Sequence, residues 1–124
     1  MKKNRFEKLN SIKDCRKMAG RPEVDMSVFP EDMREHMQGY YDTLVAVEAY
    51  RKIEGGEIDW SNSRQYKWTP WFWMSPAAFA FDYSYCDYAV AVAGSGSRLC
   101  LLSEEAASDL GTKFIDTLEK VQLK

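Results

Sequence analysis

Histidine is nearly missing from this chain: one residue, His36, in 124. Hydrolytic triads, zinc sites and paired helical histidines all need partners that the sequence does not supply. A lone histidine on a helix reads as a surface or packing residue. Cysteine is scarce as well. Cys15, Cys86 and Cys100 fit no Cys-x-x-Cys spacing, and an odd count closes no disulfide framework. Reduced thiols are the simpler reading, and no base is evident that would make Cys86 or Cys100 a nucleophile. Two-carboxylate chemistry would draw on Asp59, Asp82 and Asp87, but nothing in the sequence sets their separation. Long apolar runs are also lacking. Ala89 to Ala93 falls far short of the roughly 20 residues that cross a bilayer, and no apolar stretch follows Met1-Lys2-Lys3-Asn4-Arg5 as in a signal peptide. These absences lead to the expectation of a soluble chain that is not an enzyme, has no metal or cofactor, and has no membrane partner.

The residues that are present describe a globular chain. At 45% hydrophobic and 29% charged, the composition suits one domain, 1–124, with a real core. The net charge of −2 hides an asymmetry. Residues 1–21 hold eight Lys and Arg against Glu7 and Asp14, a net +6, so the remainder carries −8. Such a basic arm either meets nucleic acid or another acidic partner, or lies along the acidic helices of its own fold. The second is the favoured reading.

Residues 1–56 read as helical. Ser11 caps a short helix from Ile12 to Ala19, and Gly20 with Arg21-Pro22 stops it. Residues 22–29 read as a connection. Pro30, Glu31 and Asp32 suit the start of the next helix. Met33, Met37, Tyr40, Tyr41, Leu44, Val47 (or Glu48) and Arg51 then step at three and four, and their apolar members predict the buried face of a helix reaching about Glu54. Gly39 marks a break or a close contact, and Gly55-Gly56 ends the helix.

Residues 57–124 change character. Tyr66 to Met74 is aromatic and β-prone, and Pro70 restricts it to an edge or bulged strand. Phe79 to Tyr85 alternates with period two, which predicts the second strand of a hairpin. Tyr88 to Ala93 fits strand, helical turn or loop equally. Gly94 to Ser97 is a turn, read either as a plain turn into a strand or as an anion-binding turn with Arg98 as counter-charge. Arg98 to Leu102 predicts a third strand. Ser103 caps the last helix, with Ala107, Leu110, Phe114, Leu118 and Val121 as its apolar stripe.

Aromatic crowding is the strongest anomaly. Eleven of seventeen aromatic residues lie within 60–88. On a strand, Trp68 and Phe72 share one face while Trp71 and Trp73 share the other. One set packs on the helices; the other lies under residues 84–97 or is exposed. An exposed set either stacks unpaired bases or anchors a protein interface. Arg64 and Lys67 balance Asp82 and Asp87 in this segment, which favours protein over nucleic acid. The candidate binding residues are Tyr66, Trp68, Trp71, Trp73 and Arg98.

Several blocks carry a resemblance: Ile58-Asp59-Trp60, Lys67-Trp68-Thr69-Pro70-Trp71-Phe72, Phe79-Ala80-Phe81, Gly96-Ser97-Arg98-Leu99-Cys100, and the closing Glu104 to Asp116. In these the chain resembles an uncharacterised family of small proteins encoded by phages and prophages of gut Bacteroidetes. The likeness covers most of 58–118. It implies a phage or mobile-element origin and carries no activity across. The expected fold is α+β: two N-terminal helices, a small antiparallel sheet of about three strands, and a C-terminal helix packed on it. The expected function is a phage-encoded accessory protein, a non-catalytic interaction or structural module that binds a protein partner or itself. The alternatives are single-stranded nucleic-acid binding through exposed aromatics and the basic arm, and a host-defence inhibitor that binds an anionic small molecule. The expected location is the cytoplasm of the bacterial host, with the virion as the other.

Overall fold

The computed structural model describes residues 5–59, 61, 66–73, 80–87 and 99–122, with the side chains of 69, 71–73, 80–83 and 85–87 outside that description. Four helices dominate: α1 (Ile12–Ala19), α2 (Arg34–Glu54), α3 (Glu104–Lys113) and α4 (Ile115–Gln122). Local chemistry sets both ends of α1 and the end of α2. The Ser11 hydroxyl accepts the Asp14 N–H, and Gly20 closes α1 at φ 70°. Gly55 closes α2 with the same left-handed geometry, its N–H reaching the carbonyls of Arg51 and Lys52. Short 3-10 turns at Met26–Val28 and Glu31–Met33 bridge the two helices.

The expected α+β fold with a three-stranded sheet is wrong. The described chain is mainly helical, and its β-structure is one two-stranded ribbon: β1 (Lys67–Trp73) antiparallel to β2 (Ala80–Asp87). Pairing slips between Trp71 and Phe72, where Asp82 of β2 is left over as a bulge. In place of a third strand there is a single bridge, Trp68 to Leu101. The reason lies in Pro70. Trp68 and Leu101 exchange both hydrogen bonds, at 2.9 and 2.7 Å. Antiparallel geometry would next pair Pro70 with Leu99, and proline has no N–H to give. The Cys100 carbonyl turns instead to α2, where it accepts two N–H groups of Arg51, Nε at 3.0 Å. Segment 99–102 is thus held on both sides without forming a ladder.

The single C-terminal helix is also corrected. Phe114 leaves helical geometry at φ −112°, ψ 31°, and divides the segment into α3 and α4. The break lets α3 lie against the ribbon, with Ser84 and Ser108 hydroxyls 2.8 Å apart, while α4 crosses α2. Ser103 caps α3, accepting from Ala106 N–H and donating to Glu54 of α2 at 3.0 Å.

The core joins α1, α2, α3 and α4 to residues that precede any helix. Phe6 and Leu9 are fully buried. The Phe6 ring lies 4.8 Å from Tyr50, which meets Phe114 edge-on at 6.3 Å. Tyr50 donates to Asp109 at 2.6 Å, and Lys113 bridges Asp109 at 3.0 Å and the Phe6 carbonyl at 2.8 Å. Residues 5–9 of the basic arm are therefore structural. Arg5 pairs with Glu54 at 3.4 Å and Glu105 at 2.8 Å.

The buried face of α2 differs in part from the expected one. Val47 is buried as expected, together with Gly39, Asp42, Thr43, Val45, Ala46, Ala49 and Tyr50, while Met33 is exposed and Met37, Tyr40, Tyr41 and Leu44 are only half-buried. At Gly39 a neighbouring helix approaches closely. A Cβ on Gly39 would stand 2.5 Å from Lys120 Cβ and 3.1 Å from the Thr117 carbonyl oxygen.

Candidate functional site

Of the five expected binding residues, Tyr66 and Trp68 have described side chains. Trp68 is half-buried, packs against the core and carries the bridge to Leu101. Tyr66 is 50% exposed, its ring 6.0 Å from that of Trp68. Trp71 and Trp73 lie on β1 by their backbone, opposite Tyr83 and Ala80, but their side chains fall outside the described residues, as does Arg98 entirely. The readings of Trp60 and of 88–98 fall outside it too.

No described thiol is presented for chemistry. Cys15 and Cys100 are free and buried. Burial pushes the Cys15 thiol up to about 12, reinforced by the Asp14 and Asp42 carboxylates. Burial also raises Cys100, against the pull of Arg51. His36 is half-buried on α2. Among the described residues no three His, Cys, Asp or Glu side chains gather to hold a metal ion. No helix among them is long and apolar enough to cross a membrane.

An open groove of about 1160 Å³ lies between the end of α1 and the end of α2, lined by Arg21, Glu48, Arg51, Lys52 and Glu57 among others. It is poorly suited to an anion. Arg21 is paired with Glu48 at 3.1 Å and Arg51 is turned to Cys100. The α2 carbonyl end, negative by its dipole, opens onto it.

A surface that sequence reading passed over is better formed. Four large apolar side chains stand exposed among the described residues, and three lie in the α1–α2 connection: Val24 at 40%, Val28 at 77% and Met33 at 46%. The connection is not loose. Arg34 donates to the Phe29 carbonyl at 2.8 Å and the Ser27 carbonyl at 3.3 Å. Tyr41 donates to the Pro22 carbonyl at 2.6 Å, and Arg16 holds Glu23 at 3.1 Å. Asp25 accepts the Ser27 N–H, and this bond keeps its carboxyl below the usual range. Side chains of α1 and α2 thus fasten the backbone while valines point outward. Five carboxylates against one arginine surround them in 22–35.

Asp42 of α2 is buried, with 7% of its surface exposed. Gln38 donates to it at 3.0 Å and Arg16 stands at 3.9 Å. Burial nevertheless raises its carboxyl above the usual value, against the pull of Gln38, Arg16 and Lys120. A raised carboxyl favours the fold while protonated, and that advantage fades as pH climbs from the unfolded value through the folded one. Asp42→Asn keeps an acceptor for Gln38 and has no proton to lose. Denaturation midpoints are expected to shift in the variant's favour as pH rises from below the ordinary carboxylate range to above it; a gap independent of pH contradicts this.

Comparison with protein-family models, curated proteins and solved structures finds no match for this chain.

Proposed function

We propose that the chain is a non-catalytic protein-interaction module that works through the connection 22–35. The observation that carries this reading is Val28, 77% exposed on a backbone that Arg34, Asp25 and Tyr41 hold in place. Ordering a binding loop beforehand removes an entropic cost of association, and exposed apolar groups with a polar rim are a mark of protein contact. Half-exposed Tyr66 is a second contact point. Nucleic acid is a poorer fit to this surface, because the exposed loop is acidic. The role as a phage accessory protein in the host cytoplasm or virion rests on the residue blocks quoted above.

A photoreactive amino acid at position 28, with one at Lys52 as control, tests the surface in cells that produce the protein. A discrete adduct from position 28 and none from 52 is expected. Adducts from both, or from neither, contradict the reading.

A further inference from the structure

We infer that the 22–35 surface is occupied by a second copy of this chain, in a two-fold dimer whose helix α1 lysines meet the partner's loop carboxylates; the inference rests on the reading just given. The complementary charges are on the same molecule. Lys8, Lys13 and Lys17 are exposed, and none forms an ion pair among the described residues. Lys13 and Lys17 stand four apart, and so on one face of α1. Glu31, Asp32 and Glu35 are exposed in the connection and the first turn of α2, also without an ion pair among the described residues.

Both patches belong to elements packed on one helix: α1 and both 3-10 turns lie against α2, and Arg16 of α1 holds Glu23 of the connection. Patches of opposite sign on neighbouring elements can form a self-complementary surface. A two-fold axis between them satisfies each patch twice, which is the arrangement of an isologous dimer. Val24, Val28 and Met33 then become its apolar centre, and the charges set register and approach. The same charges act against any two-fold pairing that sets lysines on lysines, because like charges across an interface are costly.

Sedimentation velocity of the full chain tests this with two charge-reversed proteins, Lys13→Glu/Lys17→Glu and Glu31→Lys/Glu35→Lys, each checked for folding by circular dichroism. The wild type is expected to dimerise at about 0.1 M salt and to weaken about tenfold or more at about 1 M, where the screening length falls from about 10 Å to about 3 Å. Each reversed protein alone is expected to stay monomeric, and their equimolar mixture to dimerise, because both contacts are then opposite in sign again. A wild type that is monomeric at all concentrations overturns the dimer, and so does a dimer untouched by either reversal. If the wild type is monomeric while position 28 still forms an adduct with a different protein, the interaction reading stands and only the second-copy occupant falls.

Discussion

Phe6→Ala is expected to destabilise the protein by about 3–5 kcal/mol, the range for emptying a buried aromatic site. By composition alone, residues 1–21 are a charged arm, and truncation within an exposed arm stays within about 0.5 kcal/mol. The structure places Phe6 elsewhere. Its ring is fully buried against Tyr50, and its carbonyl takes the Lys113 ammonium at 2.8 Å. Removing the ring opens a void beside Tyr50, whose hydroxyl is tied to Asp109 and whose other neighbour is Phe114. That void cannot close without moving α2 against α3. Arg5→Ala is the matched control. Its guanidinium is half-exposed, so losing the pairs to Glu54 and Glu105 costs about 1 kcal/mol at most. Urea denaturation of the two variants separates the cases. Equal, small losses would show that this segment is not part of the core.

Gly39 carries the second large effect. In an isolated helix, Gly→Ala gains about 1 kcal/mol. Here the new Cβ meets Lys120 Cβ at 2.5 Å and backbone atoms of Thr117 and Lys120 at 3.1 and 3.2 Å. A backbone cannot swing aside as a side-chain tip does, so α4 must move off α2. Overpacking of this kind costs about 1–3 kcal/mol and outweighs the propensity gain. Gly39→Ala is therefore expected to lower stability, and Gly39→Leu to lower it further and detach α4. Thermal melts, with amide exchange across 115–122, read both effects. A more stable Gly39→Ala protein would contradict the close crossing.

The helix ends were legible because they depend on local chemistry. Ser11, Gly20, Gly55 and Ser103 each act through one or two neighbouring backbone groups, and the structure uses all four. Of the apolar stripe Ala107, Leu110, Phe114, Leu118 and Val121, the first four are buried and Val121 is half-buried. The break at Phe114 was not legible, because its ring keeps the periodicity while its backbone leaves the helix. The face of α2 was legible only in part. Val47 is buried as expected, but the expected Met33, Met37 and Tyr40 are not, whereas the close helix crossing selects Gly39.

Pro70 was recognised as a residue of edge or bulged strands, yet a strand was still expected at 98–102. Its missing N–H limits that strand to one bridge. Nothing local in the sequence marks Val24 and Val28 as exposed. Their exposure follows from Arg34, Tyr41 and Arg16 reaching across from two helices to hold the backbone.

Amide hydrogen exchange across residues 22–35 tests the pre-ordered loop most directly. The N–H groups of Ser27, Phe29 and Met33 donate to the Asp25 carboxylate, the Met26 carbonyl and the Pro30 carbonyl, at 2.9, 3.0 and 2.9 Å. Protection of these three amides is expected in the wild type, with loss of protection at Ser27 and Phe29 in Arg34→Ala while α2 beyond its first turn stays protected. Exchange of all three at the rate of an unstructured peptide would show that the valines are carried on a loose tether, and a surface built to receive a partner could not rest on it.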